Sequence, residues 1–273
     1  MTTLRELLIA LAAGVVQGIV EWLPISSTGN LSLFLTAVGT SPDITIQLAL
    51  FLQMGTTVSA ALYYRDTIRE AVRAAPGWRP ERAFEDANAD TSFVIVACIV
   101  TGLVGIPLYL TLIDFARELT GGLFVALIGV LLILTGILER ASESVGVSGK
   151  ENPDLLDAVL VGAIQGVSIL PGVSRSGTTA SMLLFRGHVG PSAFRLSFLL
   201  SIPAGIGAGL LIIVTDGFPT TGPEAIVALI ASAVVGYGAI DAIMKVVHRV
   251  DFWVICLGLG GLAIVGGGLT ALL

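Results

Sequence analysis

Most of the residues in this chain that could do chemistry lie in two short stretches, and the stretches are copies of each other. Gln17 to Gly29 reads QGIVEWLPISSTG and Gln165 to Gly177 reads QGVSILPGVSRSG, 148 positions on. In the first, Gln17 and Glu21 are four apart and so share one helical face. A carboxylate in apolar surroundings is costly and normally faces a cavity or a partner. Pro24 then precedes Ser26, Ser27, Thr28 and Gly29. In the copy, Pro171 and Gly172 precede Ser174, Arg175, Ser176, Gly177, Thr178 and Thr179. Both runs read as starts of new half-helices, whose first backbone N–H groups lack intrahelical partners and attract anions. Arg175 adds a planar fork suited to phosphate oxygens. Hydroxyls, an arginine and a carboxylate able to hold a divalent cation together point to phosphoryl chemistry. Two plainer readings stay open. Ser/Gly-rich turns also serve close helix packing in membranes, and Glu21 could pair with Arg175 simply to pin the two stretches together.

The surrounding elements must be membrane helices. The chain is 55% hydrophobic and 12% charged, with a mean hydropathy of +0.94, whereas a soluble domain carries about 25% charged residues. Six apolar spans are predicted, at about 45–65, 91–113, 121–139, 193–215, 223–247 and 252–272. Each repeat is broken by its proline, and neither half is long enough to cross alone. Residues 4–38 and 155–187 therefore read as re-entrant hairpins of two short helices. Such broken backbone is tolerated at membrane depth where it lines a cavity or is buried in protein. The fold class is all-α: six transmembrane helices plus two re-entrant hairpins, in one membrane domain spanning 1–273. Each half (4–140 and 155–272) is one hairpin plus three spans. Three is odd, so the halves should be inverted repeats whose hairpins meet near the midplane. Further along, Leu48, Leu52, Ala60 and Leu62 match Leu196, Leu200, Ala208 and Leu210 in the same register.

Charge orients the chain. Arg65, Arg69, Arg73, Arg79, Arg82, Arg140, Lys150, Arg186, Arg195, Lys245 and Arg249 fall on one face, with Arg5 and Arg117 on the other. By the positive-inside rule the first face is cytoplasmic, and both termini are expected outside the cytoplasm of a multi-pass cell-membrane protein. Residues 7–16 have the length of a signal-peptide apolar region, but they run directly into the first repeat and are read as part of it. Residues 66–90 read as a solvated cytoplasmic loop, and 217–223 as a tight turn. Cys98 and Cys256 have no metal or redox spacing and read as small buried hydrophobes. A net charge of −6 argues against nucleic acid as a partner, and a homodimer is neither required nor excluded.

With these motifs in place, the chain resembles the undecaprenyl-diphosphatase (bacitracin-resistance) family of integral membrane enzymes. The likeness rests on [E/Q]xxxE, here Gln17 to Glu21, and on PGxSRSxxT, here Pro171 to Thr179, with EWLPISSTG and the LQMG around Gln53 beside them. It covers nearly the whole chain. The resemblance implies removal of the terminal phosphate from a polyprenyl diphosphate with Mg²⁺ or Ca²⁺ as cofactor, the lipid bilayer being the setting. It implies that Glu21 and Gln17 bind the metal, that Arg175 holds the diphosphate, and that Ser27 is the nucleophile or positions it. Ser26, Thr28, Gln53, Ser174, Ser176 and Thr179 would contact substrate. One position departs: the family's usual His after SSTG is Asn30, which can hydrogen-bond phosphate but cannot exchange protons near neutrality. The histidines, His188 and His248, lie outside the motifs. Activity would then rest on the metal and Arg175, because positioning and electrostatics carry most phosphoryl transfer. The competing plan with the same architecture is a transporter or lipid-carrier flippase that uses the anion cradle without hydrolysis.

Overall fold

A computed structural model describes residues 4–74, 82–85, 88–144, 149–218, 222–247 and 251–272. Arg79, His248 and Arg249 lie outside the described residues, as does the middle of the 217–223 turn. Among the described residues are eleven helices, α1 (Leu4–Val20), α2 (Ser27–Ala37), α3 (Pro42–Tyr63), α4 (Arg65–Ala74), α5 (Ala89–Glu118), α6 (Gly121–Glu143), α7 (Leu155–Val167), α8 (Arg175–Phe185), α9 (Gly190–Thr215), α10 (Pro223–Val247) and α11 (Phe252–Leu272). Six are long and apolar enough to cross a membrane, over Pro42–Tyr63, Ala89–Glu118, Gly121–Ser142, Gly190–Thr215, Pro223–Ile240 and Phe252–Ala271. These are the spans expected. The helices of 17, 11, 13 and 11 residues that make up the two hairpins reach only about 16 to 26 Å at 1.5 Å per residue, short of the roughly 30 Å hydrocarbon core.

Two expectations need correction. The segment after α3 is not loop throughout, because Arg65–Ala74 forms α4. Its charges alternate in sign at helical spacing, as in the Asp66–Arg69 contact of 3.0 Å, which supports a solvated helix. The second span also continues to Glu118, since Asp114 and Arg117, 3.2 Å apart, extend the helix into water without breaking it.

The packing partners exchange when the two halves are exchanged. Helix α1 lies along α10, and its counterpart α7 lies along α5; α3 packs on its own counterpart α9, and α6 on α11. At the α6–α11 seam Gly129 and Gly260 face each other, and a Cβ on either would fall 2.6 Å from the other's carbonyl oxygen. Small residues let such backbones touch in a bilayer, where close van der Waals contact replaces hydrophobic drive. Repeat positions also share environments: Leu52 and Leu200 are buried, while Leu62 and Leu210 face outward.

Ion pairs tie the helix ends on each face. On one face Arg117 lies 3.8 Å from Asp43 at the start of α3 and 3.9 Å from Asp216 at the end of α9, so α3 and its counterpart α9 run in opposite directions. On the basic face Asp90 pairs with Arg195. There Asp157, at the start of α7, gathers Lys150, Arg186 at 2.7 Å and His188 at 3.0 Å. Burial alone would raise the Asp157 pKa, but hydrogen bonds from His188, Lys150, the Asp154 amide and Arg186 outweigh it and hold the carboxyl well below the usual range.

Candidate active site

The two hairpin tips meet. Ser26 ends the first tip with φ 60°, the left-handed region a side chain normally avoids. Its hydroxyl oxygen accepts from Gly29 N at 3.2 Å and from Gly172 N of the other tip at 3.1 Å, contacts that offset the backbone strain. Gly172 itself has φ 105°, and a side chain there would meet Ile128 O at 2.6 Å. Gly29 presses on Gly172 so closely that a Cβ would come within 2.7 Å of Gly172 N. These approaches account for the proline- and glycine-containing tips better than hairpin geometry alone. Ser174 caps α8 by accepting from Gly177 N at 3.1 Å. Thr135 of α6 holds the same tip, accepting from Ser174 N at 3.3 Å and donating to Gly172 O at 3.1 Å.

At the meeting point Glu21 receives three donors. Arg175 pairs with its Oε1, while Oε2 accepts from Gln17 Nε2 at 2.7 Å and from Ser27 Oγ at 2.6 Å. Ser27 and Arg175 occupy the same position of the two repeats, the first residue of α2 and of α8, and so approach Glu21 as counterparts. The Glu21 side chain is 5% exposed and that of Arg175 17%. The pair is therefore shielded from bulk water, and its electrostatic interactions are stronger than they would be in solvent.

Beside this cluster lies a cavity of about 290 Å³, walled mainly by apolar groups of α3, α5, α7 and α9. Of the residues singled out by sequence, Ser27, Thr28, Gln53 and Arg175 line it, with Gln53 donating to Thr28 Oγ1 at 3.0 Å. Glu21 and Gln17 stand behind that wall. Ser26 and Ser174 are occupied as caps, a task the motif reading did not give them. Ser176 is buried in the first turn of α8. Thr179 donates to Arg175 O at 2.7 Å and meets Ser197 at 2.6 Å, inside the protein. Asn30 turns back on its own tip, donating to Ile25 O at 2.6 Å and Ser26 O at 3.0 Å. His188 belongs to the Asp157 cluster, beyond the far end of α8 from the second tip.

Sequence reasoning passed over several polar groups near the tips. Thr101, Gln165 and Ser168 line the cavity, and Cys98 is a half-buried part of its wall, not a fully buried hydrophobe. Glu139, buried in the last turn of the third span, packs against Gly177, where any side chain would collide with its carboxylate. A carboxylate within a predicted span was the available signal for Glu139, and the repeat itself was the signal for Gln165.

A hard cation here would take the Glu21 carboxylate and displace donors now bound to it. Gln17 Oε1 is a buried acceptor with no hydrogen-bond partner, on a side chain already touching Glu21. Among the described residues no three of His, Cys, Asp and Glu group as a metal cage. Mg²⁺ commonly needs no such cage, taking one or two carboxylates and the substrate's phosphates.

Two broken helical hairpins joined tip to tip among six spans, with an ion pair and a hydroxyl at the junction, define a polytopic membrane protein built around a buried polar centre. The family described as "Bacitracin resistance protein BacA" matches residues 10–262, and the chain belongs to it. An undecaprenyl-diphosphatase of Haloarcula marismortui is 49% identical over 98% of this chain and all of the relative. Proteins of the same description from Methanococcoides burtonii and Pyrobaculum aerophilum are 38% and 34% identical, covering 93% and 96% of this chain and 96% and 97% of their own.

Proposed function

We infer that this protein is a membrane-embedded polyprenyl-diphosphate phosphatase. It hydrolyses the terminal phosphate of an undecaprenyl-type lipid carrier to give the lipid monophosphate and inorganic phosphate, which recycles the carrier for cell-envelope glycan synthesis. The observation that carries this reading is the convergence of Glu21, Arg175 and Ser27, from two distant stretches, at the wall of one cavity. Full-length similarity to undecaprenyl-diphosphatases supports it.

In this reading the diphosphate competes with Glu21 for the Arg175 guanidinium, whose fork matches phosphate oxygens. The N-terminal ends of α2 and α8 add positive potential at the same point. The apolar cavity takes the first isoprenoid units. Ser27, donating to Glu21, is placed as a nucleophile beside its base. Its Oγ bonds to the terminal phosphorus as the bridging P–O bond breaks, the lipid monophosphate leaves, and the hydroxyl proton passes to Glu21. Water then cleaves the phosphoserine, Ser27 recovers its proton from Glu21, and the water's proton leaves with inorganic phosphate. Glu21 and Gln17 Oε1 would hold Mg²⁺ or Ca²⁺, which neutralises phosphate charge. Asn30, engaged with backbone, takes no proton in this scheme.

The halves 4–140 and 155–272 act as inverted repeats. The antiparallel run of α3 and α9 supports this, and the basic face (Arg65, Arg69, Lys150, Arg186 and Arg195) lies in the cytoplasm by the positive-inside rule. Both chain ends then lie outside it.

The test is phosphate release from C15 and C55 polyprenyl diphosphates by purified wild type and Asn30→His, with and without chelator. Metal-dependent release by the wild type is the expected result. Absence of release from both proteins while lipid still binds overturns the reading. Passage of intact substrate across sealed vesicles would then identify a flippase.

A further inference from the structure

The cavity beside the hairpin tips has a donor side and an acceptor side, and the proposed reaction explains only the first. On the donor side stands Arg175. On the other, Gln165 of α7 is 3% exposed and lines the cavity, and its Oε1 has no hydrogen-bond partner. A buried amide oxygen left unpaired is costly, and such groups in folded proteins usually await a water or a ligand.

The orientation of this carboxamide is fixed by its neighbours. Thr101 Oγ1 lies 2.7 Å from Ala97 O and 3.0 Å from Gly162 O. Both are pure acceptors, so the Thr101 proton is committed to them and only its lone pairs face outward. Gln165 meets Thr101 at 3.1 Å, and only its NH₂ end can satisfy that contact. Flipping the amide would set oxygen against oxygen. Oε1 must therefore point away from Thr101. Ser168, on the same wall, likewise gives its proton to Gln165 O at 2.7 Å and offers only lone pairs. The close contact of α5 and α7 at Gly162, where a Cβ would come within 2.6 Å of Ala97 O, keeps Thr101 in place beside Gln165.

The lone pairs that Gln165 Oε1 and Ser168 Oγ present here repel phosphate oxygens, and a polyprenyl tail has nothing to donate to them. Of the reactants in a diphosphate hydrolysis, water alone brings O–H donors. We propose that Gln165 is a catalytic residue that holds the hydrolytic water through Oε1, with Thr101 as the positioning residue that fixes the carboxamide. The inference rests on the phosphatase reading and adds the seat of its second reactant. Water donates one O–H to Gln165 Oε1 and directs a lone pair at the phosphorus. The new P–O bond forms as the bond to the leaving oxygen breaks, and the water's other proton ends on the released phosphate. The amide orients and takes no proton, the role a glutamine also plays toward the attacking water in GTP hydrolysis. The repeat explains how the residue came to be there: Gln165 is the counterpart of Gln17, but the position matching Glu21 is Ile169, so this glutamine has no carboxylate to bind and faces the cavity.

The experiment measures phosphate release from a C15 diphosphate in water–methanol mixtures, and scores inorganic phosphate against methyl phosphate. Gln165→Leu removes the water's hydrogen bond and leaves an apolar wall that tolerates a methyl group. The expected result is a fall in kcat of about 10-fold, the worth of roughly one such hydrogen bond, with KM little changed and a several-fold rise in the methyl phosphate ratio. Thr101→Val frees the carboxamide to turn while keeping position 165, and moves the ratio the same way by less. A purely structural role lowers both products together and leaves the ratio alone. An unmoved ratio in both variants overturns the water site, whereas a wild type that releases no phosphate overturns the phosphatase reading instead.

Discussion

Replacing Glu21 by glutamine separates an ion pair that merely fastens the hairpins from one that takes part in the reaction. Glu21 accepts from Arg175, from Gln17 at 2.7 Å and from Ser27 at 2.6 Å. Glutamine keeps the shape but sets an NH₂ against a donor in either orientation, and leaves the Arg175 charge unbalanced. Removing one partner of a buried pair costs about 3–5 kcal/mol, and with side chains 5% and 17% exposed little of this is lost to screening. At about 2–4 °C per kcal/mol for chains of similar size, the purified Glu21→Gln protein should melt on the order of 10 °C lower. Phosphate release should fall by at least about 10². Adding Arg175→Gln removes the stranded charge, so the double variant should be more stable than the sum of the single losses by about 2 kcal/mol, while activity stays lost. The assay is a double-mutant cycle in detergent, read by thermal unfolding and by phosphate release. Recovery of activity together with stability would reduce the pair to a pin. Strict additivity would refute the coupling altogether.

Chelation should abolish phosphate release and Mg²⁺ restore it, and Gln17→Leu should raise the half-activating Mg²⁺ concentration about 10-fold, read from a titration at fixed substrate. Gly29→Ala drives a methyl into Gly172 N, so it should cost about 1–3 kcal/mol by overpacking and lower phosphate release by separating the tips, both measurable on one preparation. Asp157→Asn should destabilise the protein by about 3 kcal/mol at neutral pH, where it breaks a buried charge cluster. Because the Asp157 pKa is lowered on folding, its contribution is complete above the ordinary carboxylate pKa of about 3.9 and shrinks as pH falls toward the lower folded value. The melting gap between wild type and Asp157→Asn should hold from pH 7 to 5 and close only in stronger acid. A gap that closes near pH 6 would refute that assignment.

The architecture was legible because it follows from length and polarity. Spans such as Gly190–Thr215 and the breaks at Pro24 and Pro171 are fixed by what a bilayer tolerates, and the repeat supplied the pairing of Glu21 with Arg175 across more than half the chain. Individual roles were less legible. Ser26 and Ser174 look like phosphate ligands in a motif, yet a hydroxyl at a helix start serves its own backbone first. Asn30 looked like a failed proton carrier, and the structure places it as a clasp on Ile25 and Ser26. The acceptor wall at Gln165 depends on where the Thr101 proton goes, which only a neighbouring helix decides. The length of α5 beyond the membrane was missed because Asp114 and Arg117 read as an end when they are a continuation.

The exchange of partners about the Gly129–Gly260 contact has a consequence for how such a molecule can exist at all. Two identical halves, each with an acid at the Glu21 position and a guanidinium at the Arg175 position, would close into two crossed ion pairs and leave no hydroxyl beside the acid. A single ion pair with a hydroxyl beside it requires halves that differ: Glu21 answered by Ile169, Ser27 by Arg175. Linking both halves in one polypeptide makes that asymmetry permanent, and it lets a symmetric scaffold carry a centre with a positive and a negative pole.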